Sequence, residues 1–129
     1  MDLSDITRVA ASGLRAQSLR MRVVAENLAN ADSVADTPGG SPYRRKLVVF
    51  RPTDEGVAVG GLSTDRAAFP RIYQPGHPAA NVQGYVLRPN VNGLVEAADM
   101  RAAQRSYEAN LNTIEAARSM TARTLDLLK

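Results

Sequence analysis

Proline and glycine are confined to the middle of this chain, and that confinement decides what it can fold into. All seven prolines lie between Pro38 and Pro89, and eight of the nine glycines lie between Gly39 and Gly93; Gly13 is the exception. Proline removes a helix hydrogen bond and clashes with the preceding turn, and glycine forfeits about 1 kcal/mol of helix propensity relative to alanine. The flanks, residues 1–31 and 94–129, are therefore free to be long helices. The segment 32–93 is not.

Both flanks repeat apolar residues at helical spacing. In the first, Ala10, Leu14, Gln17, Met21, Val24, Leu28 and Ala31 alternate steps of four and three, the seam of a heptad, and Leu3, Ile6 and Val9 extend it. Asp2 suits the N-cap and Asp5 the positive end of the helix dipole. Gly13 either weakens this helix or marks a close helix contact. In the last flank, Tyr107, Leu111, Ile114, Arg118, Thr121, Leu125 and Leu128 keep the same step, with Leu94, Ala98 and Met100 or Ala103 leading in. Arg118 and Thr121 read as polar seam residues that set register. Asn92 is the expected N-cap, and Glu96 and Asp99 place negative charge in the opening turns. At 1.5 Å per residue the two helices reach about 40 and 52 Å, longer than the middle can cover.

The middle reads as short strands and turns. Residues 43–50 (YRRKLVVF) and 57–61 (VAVGG) have strand character, and residues 84–92 form a strand that stops at Pro89. Residues 68–78 are extended, with Pro75-Gly76 as a turn. Residues 52–68 carry turn residues and little apolar mass, and are expected to be a surface excursion. The predicted fold is mainly α: two long terminal helices pair as a coiled-coil-like α-helical hairpin, with a small β-rich insert between them.

Composition removes several classes of chemistry. With no cysteine, the chain has no disulfide, thiolate metal site or cysteine nucleophile. The net charge of +3 is spread along the chain, so no segment is a basic domain. The opening MDLSDITRVAAS has no apolar core of a cleavable signal peptide, and no run approaches the ~18 apolar residues of a membrane span. His77, the single histidine, sits between Pro75-Gly76 and Pro78 with no nucleophile or carboxylate in a recognisable spacing, and reads as structural. Gly39-Gly40 and Gly60-Gly61 do not continue into the Gly-Lys-Ser/Thr of a phosphate loop. No constellation of an enzyme is present, and no cofactor or metal is expected.

Two features keep alternatives open. Arg44-Arg45-Lys46 is the one basic cluster. It fits a grip on phosphates, contact with a neighbouring subunit, or charge guarding a strand edge. Asn27 and Asn30 lie on neighbouring parts of one helix face; Asn30 suits a left-handed helix end, and a buried Asn also fixes register between helices.

Residues 11–33 (ASGLRAQSLRMRVVAENLANADS), with Asn27-Leu28-Ala29-Asn30 at their core, resemble the N-terminal signature of bacterial flagellar rod and hook proteins. Residues 41–50, 73–78 and 84–92 narrow the resemblance to a proximal-rod member of that family. Residues 95–120, around Arg105-Ser106-Tyr107-Glu108-Ala109-Asn110, are similar to its C-terminal helix. Ser33-Val34 and Gly93 depart from the usual pattern. The resemblance implies a structural subunit that packs helically around a central export channel, transmits torque and spans the periplasm. It implies export through the flagellar type III apparatus without a cleaved signal peptide. Implied partners are copies of itself, FlgB, FlgF, FlgG, the adaptor FliE and the export apparatus, with neither nucleic acid nor membrane insertion. The expected assembly interface comprises Leu14, Met21, Val24, Asn27, Leu28 and Asn30 on the first helix. On the second it comprises Tyr107, Asn110, Leu111, Ile114, Leu125 and Leu128. The competing reading is a small helical nucleic-acid-associated protein that uses Arg44 to Lys46.

Overall fold

The computed structural model describes every residue from Met1 to Lys129. A 27-residue helix α1 (Leu3–Ala29) is followed by strands β1 (Lys46–Thr53), β2 (Gly56–Thr64), β3 (Arg71–Tyr73) and β4 (Tyr85–Leu87), and the chain ends in a 35-residue helix α2 (Gly93–Leu127). The protein is mainly helical with a small β insert of two antiparallel two-stranded sheets, β1–β2 and β3–β4.

Both helices start where the sequence places caps. Asp2 and Asp5 form a reciprocal box: Asp5 N–H donates to the Asp2 carboxylate at 2.8 Å and Asp2 N–H to that of Asp5 at 3.1 Å. Asn92 Oδ1 accepts from Leu94 and Val95 N–H at the head of α2. The helices run antiparallel, Asn27 meeting Glu96 at one end of the contact and Gly13 meeting Asn110 further along. Gly13 has a packing reason, since a Cβ there would sit 2.5 Å from Asn110 Nδ2.

The face of α1 turned to α2 follows Ala10, Gly13, Gln17, Arg20, Val24 and Asn27, and that of α2 follows Glu96, Ala103, Tyr107, Asn110, Ile114 and Ala117. The paired faces keep Ala10, Gln17, Val24, Tyr107 and Ile114 of the apolar seams read in the sequence and are turned from them by about half a residue. Helices that approach closely place small and polar residues between them, so apolarity alone marks the wrong phase. Leu14 and Met21 flank the contact half-buried, and Leu28 (38% exposed) and Leu111 (39%) point out of it. The expectation that pairing buries these two leucines is corrected. Carried on, this register sets Leu3 opposite Met120. The remainder of α2 outruns α1, and every residue from Arg118 to Lys129 is exposed, Leu125 and Leu128 included. Arg118 and Thr121 set no register within the chain.

Residues 57–61 lie in a strand as their character predicts, and the wider segment 52–68, expected as a surface excursion, forms one side of a hairpin docked on α1. A two-residue turn, Asp54-Glu55, joins β1 to β2, and Thr53 stands opposite Gly56. At Gly56 (φ +124°) the backbone passes close against Ser12, whose Oγ accepts from Val57 N–H at 3.0 Å. Gly60 is the extra residue of a bulge, since Val49 faces Gly61 and Phe50 faces Val59. Pro52 is tolerated because it lies exposed near the end of a strand in a two-stranded sheet. β3 and β4 form a separate lobe that packs on neither helix. Its core is Val86 and Ala79, and Tyr73 meets Tyr85 edge-on at 5.4 Å.

Candidate assembly interface and its anchoring junction

Where α1 ends, β1 begins and α2 begins, three segments converge on two buried polar side chains. Asn27 is 1% exposed and Glu96 is 0% exposed. The Asn27 amide uses both donors and both lone pairs. Nδ2 donates to Lys46 O (2.9 Å) and Glu96 Oε2 (3.2 Å), and Oδ1 accepts from Lys46 N–H (2.9 Å) and Tyr43 Oη (2.8 Å). It thereby serves the backbone of Lys46 as a strand neighbour would, and binds the end of α1 to the first residue of β1.

Glu96 carries the opposite side of the junction. Its Oε1 accepts from Arg45 Nε, while Arg45 Nη1 reaches Asp65 at 3.3 Å and Nη2 reaches Asp99 at 3.2 Å. Asp99 accepts from Arg20 at 3.3 Å, returning the network to α1. Burial works against the Arg45 charge, but the hydrogen bond and charge of Glu96, with Asp65 and Asp99, outweigh it and hold the guanidinium more firmly protonated than usual. Ala67 N–H, then Arg45, lower the Asp65 carboxyl below its ordinary value. Burial pushes the Tyr43 hydroxyl up, which keeps it a donor to Asn27. Asn90 completes the frame, accepting from Arg45 N–H at 2.7 Å and donating to the carbonyls of Asp65 and Ala67.

The basic cluster is spent inside the chain. Arg44 donates to the carbonyls of Asp65 and Ala67 and its guanidinium lies 4.1 Å from the centre of the Phe69 ring. Arg45 is enclosed by three carboxylates, and Lys46 pairs with Glu26, which raises its pKa chiefly through their hydrogen bond. With Arg45 and Lys46 paired to carboxylates and Arg44 held against carbonyls and Phe69, the cluster is occupied within the chain, and nothing supports the nucleic-acid reading.

The expected interface residues fall into three groups. Val24, Asn27 and Ile114 are buried within the chain, and Leu14, Met21, Asn30, Tyr107 and Asn110 are half-buried. Leu28, Leu111, Leu125 and Leu128 are exposed. The two asparagines divide the roles that the sequence left open. Asn27 fixes register, and Asn30 closes the helix by donating from Nδ2 to Glu26 O at 2.9 Å, with φ −105° rather than a left-handed turn. His77 Nδ1 accepts from Ala79 N–H at 3.0 Å, closing its own turn. Sequence reasoning missed Glu96, Asp99, Asp65 and Asn90 as partners of Arg45. Glu96 had a signal, an acid in the first turn of α2, which was read as dipole compensation alone.

A helix hairpin whose connected end is clamped to a β insert, with apolar length left over at its open end, defines a class of structural protein, and the comparisons say which. Residues 8–39 match the family described as flagella basal body rod protein, and residues 82–127 match that described as flagellar basal body rod FlgEFG protein C-terminal. The flagellar basal-body rod protein FlgC of Agrobacterium fabrum is 51% identical, over 98% of this chain and 96% of the relative. That of Salmonella typhimurium is 42% identical over 98% of both. That of Borreliella burgdorferi is 35% identical, over 100% of this chain and 99% of the relative. The chain belongs to the FlgC family of flagellar basal-body rod proteins.

Proposed function

We propose that the chain is a structural subunit of the bacterial flagellar basal-body rod, packing helically with other rod proteins to carry torque around the export channel. The observation that carries this reading is the overhang of α2, where Leu125, Leu127 and Leu128 are exposed on a helix end that α1 does not reach. Such a stripe gains its stability from packing against other chains rather than from helix propensity. Leu28 and Leu111 extend the same supply of exposed apolar surface along the hairpin. The neighbours that fit are copies of the chain, FlgB, FlgF, FlgG and the adaptor FliE, within a rod that crosses the periplasm. The chain reaches that rod through the flagellar export apparatus without a cleaved signal peptide. No helix is long and apolar enough to cross a membrane.

The test is to replace the native gene with one coding for Leu125→Glu/Leu128→Glu. A carboxylate forced into a buried contact costs several kcal/mol or must take up a proton. The expected result is non-motile cells that export the variant but do not incorporate it into isolated basal bodies. Normal rods built from the double variant would overturn this reading of the overhang.

A further inference from the structure

The outward faces of the two helices carry unpartnered charges of opposite sign at equal spacing. On α1, Arg15 and Arg22 are exposed, with Ser18 between them; on α2, Glu108 and Glu115 are exposed, with Asn112 between them. Arg15 shares a shallow hollow with Asp54 and Glu55 but pairs with neither, and none of the four charges makes an ion pair within the chain. Seven residues separate the members of each pair, about 10.5 Å along the axis.

We infer that the Arg15–Arg22 face of α1 in one copy docks on the Glu108–Glu115 face of α2 in a second copy of this chain. The inference rests on the rod-subunit reading and names the surface through which copies meet. Copies pointing the same way along a rod set α1 of one antiparallel to α2 of the next, as within the chain. In that orientation Arg15 meets Glu115, Ser18 meets Asn112 and Arg22 meets Glu108, all in a single register. Relative to the in-chain pairing this register is displaced by seven residues, about 10.5 Å along the axis. Without the displacement Arg22 would face Arg101, a like-charge clash; with it, Arg101 faces Ala29. The two faces differ, so each copy offers one and receives the other. Such a contact propagates along an assembly instead of closing at two copies.

The chain has no cysteine, which makes cross-linking a clean test. Full-length chains carrying Ser18→Cys with Asn112→Cys are built into rods, and isolated basal bodies are oxidised and run on a non-reducing gel. The expected result is covalent dimers and higher multimers of the chain. The pair Ala25→Cys with Asn112→Cys, one heptad out of register, is expected to give none. Absence of multimers from the first pair, or equal yields from both, overturns the inference. In parallel, Arg15→Glu/Arg22→Glu is expected to abolish incorporation, and adding Glu108→Arg/Glu115→Arg to the same chain to restore it. Failure of that rescue, with circular dichroism of both variants matching the parent, overturns it as well. Chain found in basal bodies without the Ser18–Asn112 link refutes this contact and leaves the rod reading standing. Absence of the parent chain from basal bodies refutes both.

Discussion

The two ends of α2 differ in composition and in circumstance. From Glu96 to Ala117 the helix lies against α1, and Ile114 is 9% exposed; beyond it, Leu125 is 58% exposed and Leu128 79%. The paired length is held by small side chains and by a polar clamp, with Gly13 against Asn110 and Asn27 and Arg45 against Glu96. The overhang is denser in large apolar residues and has nothing in the chain to set them on. Apolar content therefore does not measure how much of a helix the monomer stabilises. Within the chain, specificity comes from buried polar pairs and close backbone approach, and the leucines remain for contacts elsewhere.

The sharpest way to break this contrast is at Glu96. Removing Glu96 strips Arg45 of its one fully buried partner and Asn27 of an acceptor, leaving the part-exposed Asp65 and Asp99 to balance the charge, at a cost toward the low end of about 3–5 kcal/mol. Glu96→Ala is expected to lower the unfolding free energy of the isolated chain, extrapolated to zero urea, by that much, and its urea midpoint in proportion. Glu96→Gln, which keeps an oxygen for Arg45, should lose less. A midpoint for Glu96→Ala equal to the parent's would mean that the junction does not hold the hairpin.

Two truncations within one helix sharpen the contrast further. Ile114→Ala removes a buried side chain and is expected to cost about 2–4 kcal/mol. Leu125→Ala, at an exposed position, should stay within about 0.5 kcal/mol in the same unfolding experiment. In cells the order of sensitivity is expected to narrow, because Leu125→Ala impairs incorporation into the rod. Equal losses in the isolated chain would show that the overhang folds back on the monomer.

The parts of this fold that were legible in the sequence are those that local chemistry writes. Proline and glycine marked the insert; Asp2 and Asn92 marked the helix starts. Phase was misread in part because the facing surface of α1 contains Gly13 and Arg20, neither of which an apolar count can see. The hairpin was read only in part: residues 43–50 and 57–61 showed strand character, but Pro52, at an exposed strand end, and Gly60, in a bulge, carry the signature of a loop and hid the strands' full length and pairing. The clamp was illegible for another reason. Arg45 and Glu96 are 51 residues apart, and each has a sufficient local explanation, one as edge charge and the other as a dipole partner. Only the fold brings them together.

Amide exchange tests the same contrast without a mutation. In the dilute chain, amides from Ala122 to Leu127 are expected to exchange almost as fast as in an unstructured peptide, while those from Ala103 to Ile114 are protected. Incorporation into the rod should protect both. Equal protection of both stretches in the dilute chain would remove the argument that neighbours stabilise the end of the helix.

The smallest expected effect concerns acid. Asp65 lies at the rim of the clamp, and Ala67 N–H followed by Arg45 lowers its carboxyl from the ordinary 3.8. Its folded value is thus below its unfolded value, so the stability it contributes is present above about pH 4 and is lost as pH falls through the folded value. Its counterpart on the overhang, Asp126, makes only an exposed pair with Lys129 at 3.7 Å, a contact worth little in water. Unfolding by urea, repeated from pH 7 to pH 2.5 on the parent, Asp65→Asn and Asp126→Asn, separates the two. The gap between the parent and Asp65→Asn is expected to hold steady down to about pH 5 and to shrink below pH 4, because protonation then does to the parent what the substitution has already done. The parent and Asp126→Asn should track each other throughout. A gap at Asp65 that persists to the lowest pH would mean that its role is not electrostatic. A gap at Asp126 that opens at neutral pH would place the end of α2 inside the cooperative fold, against the contrast drawn from its exposure.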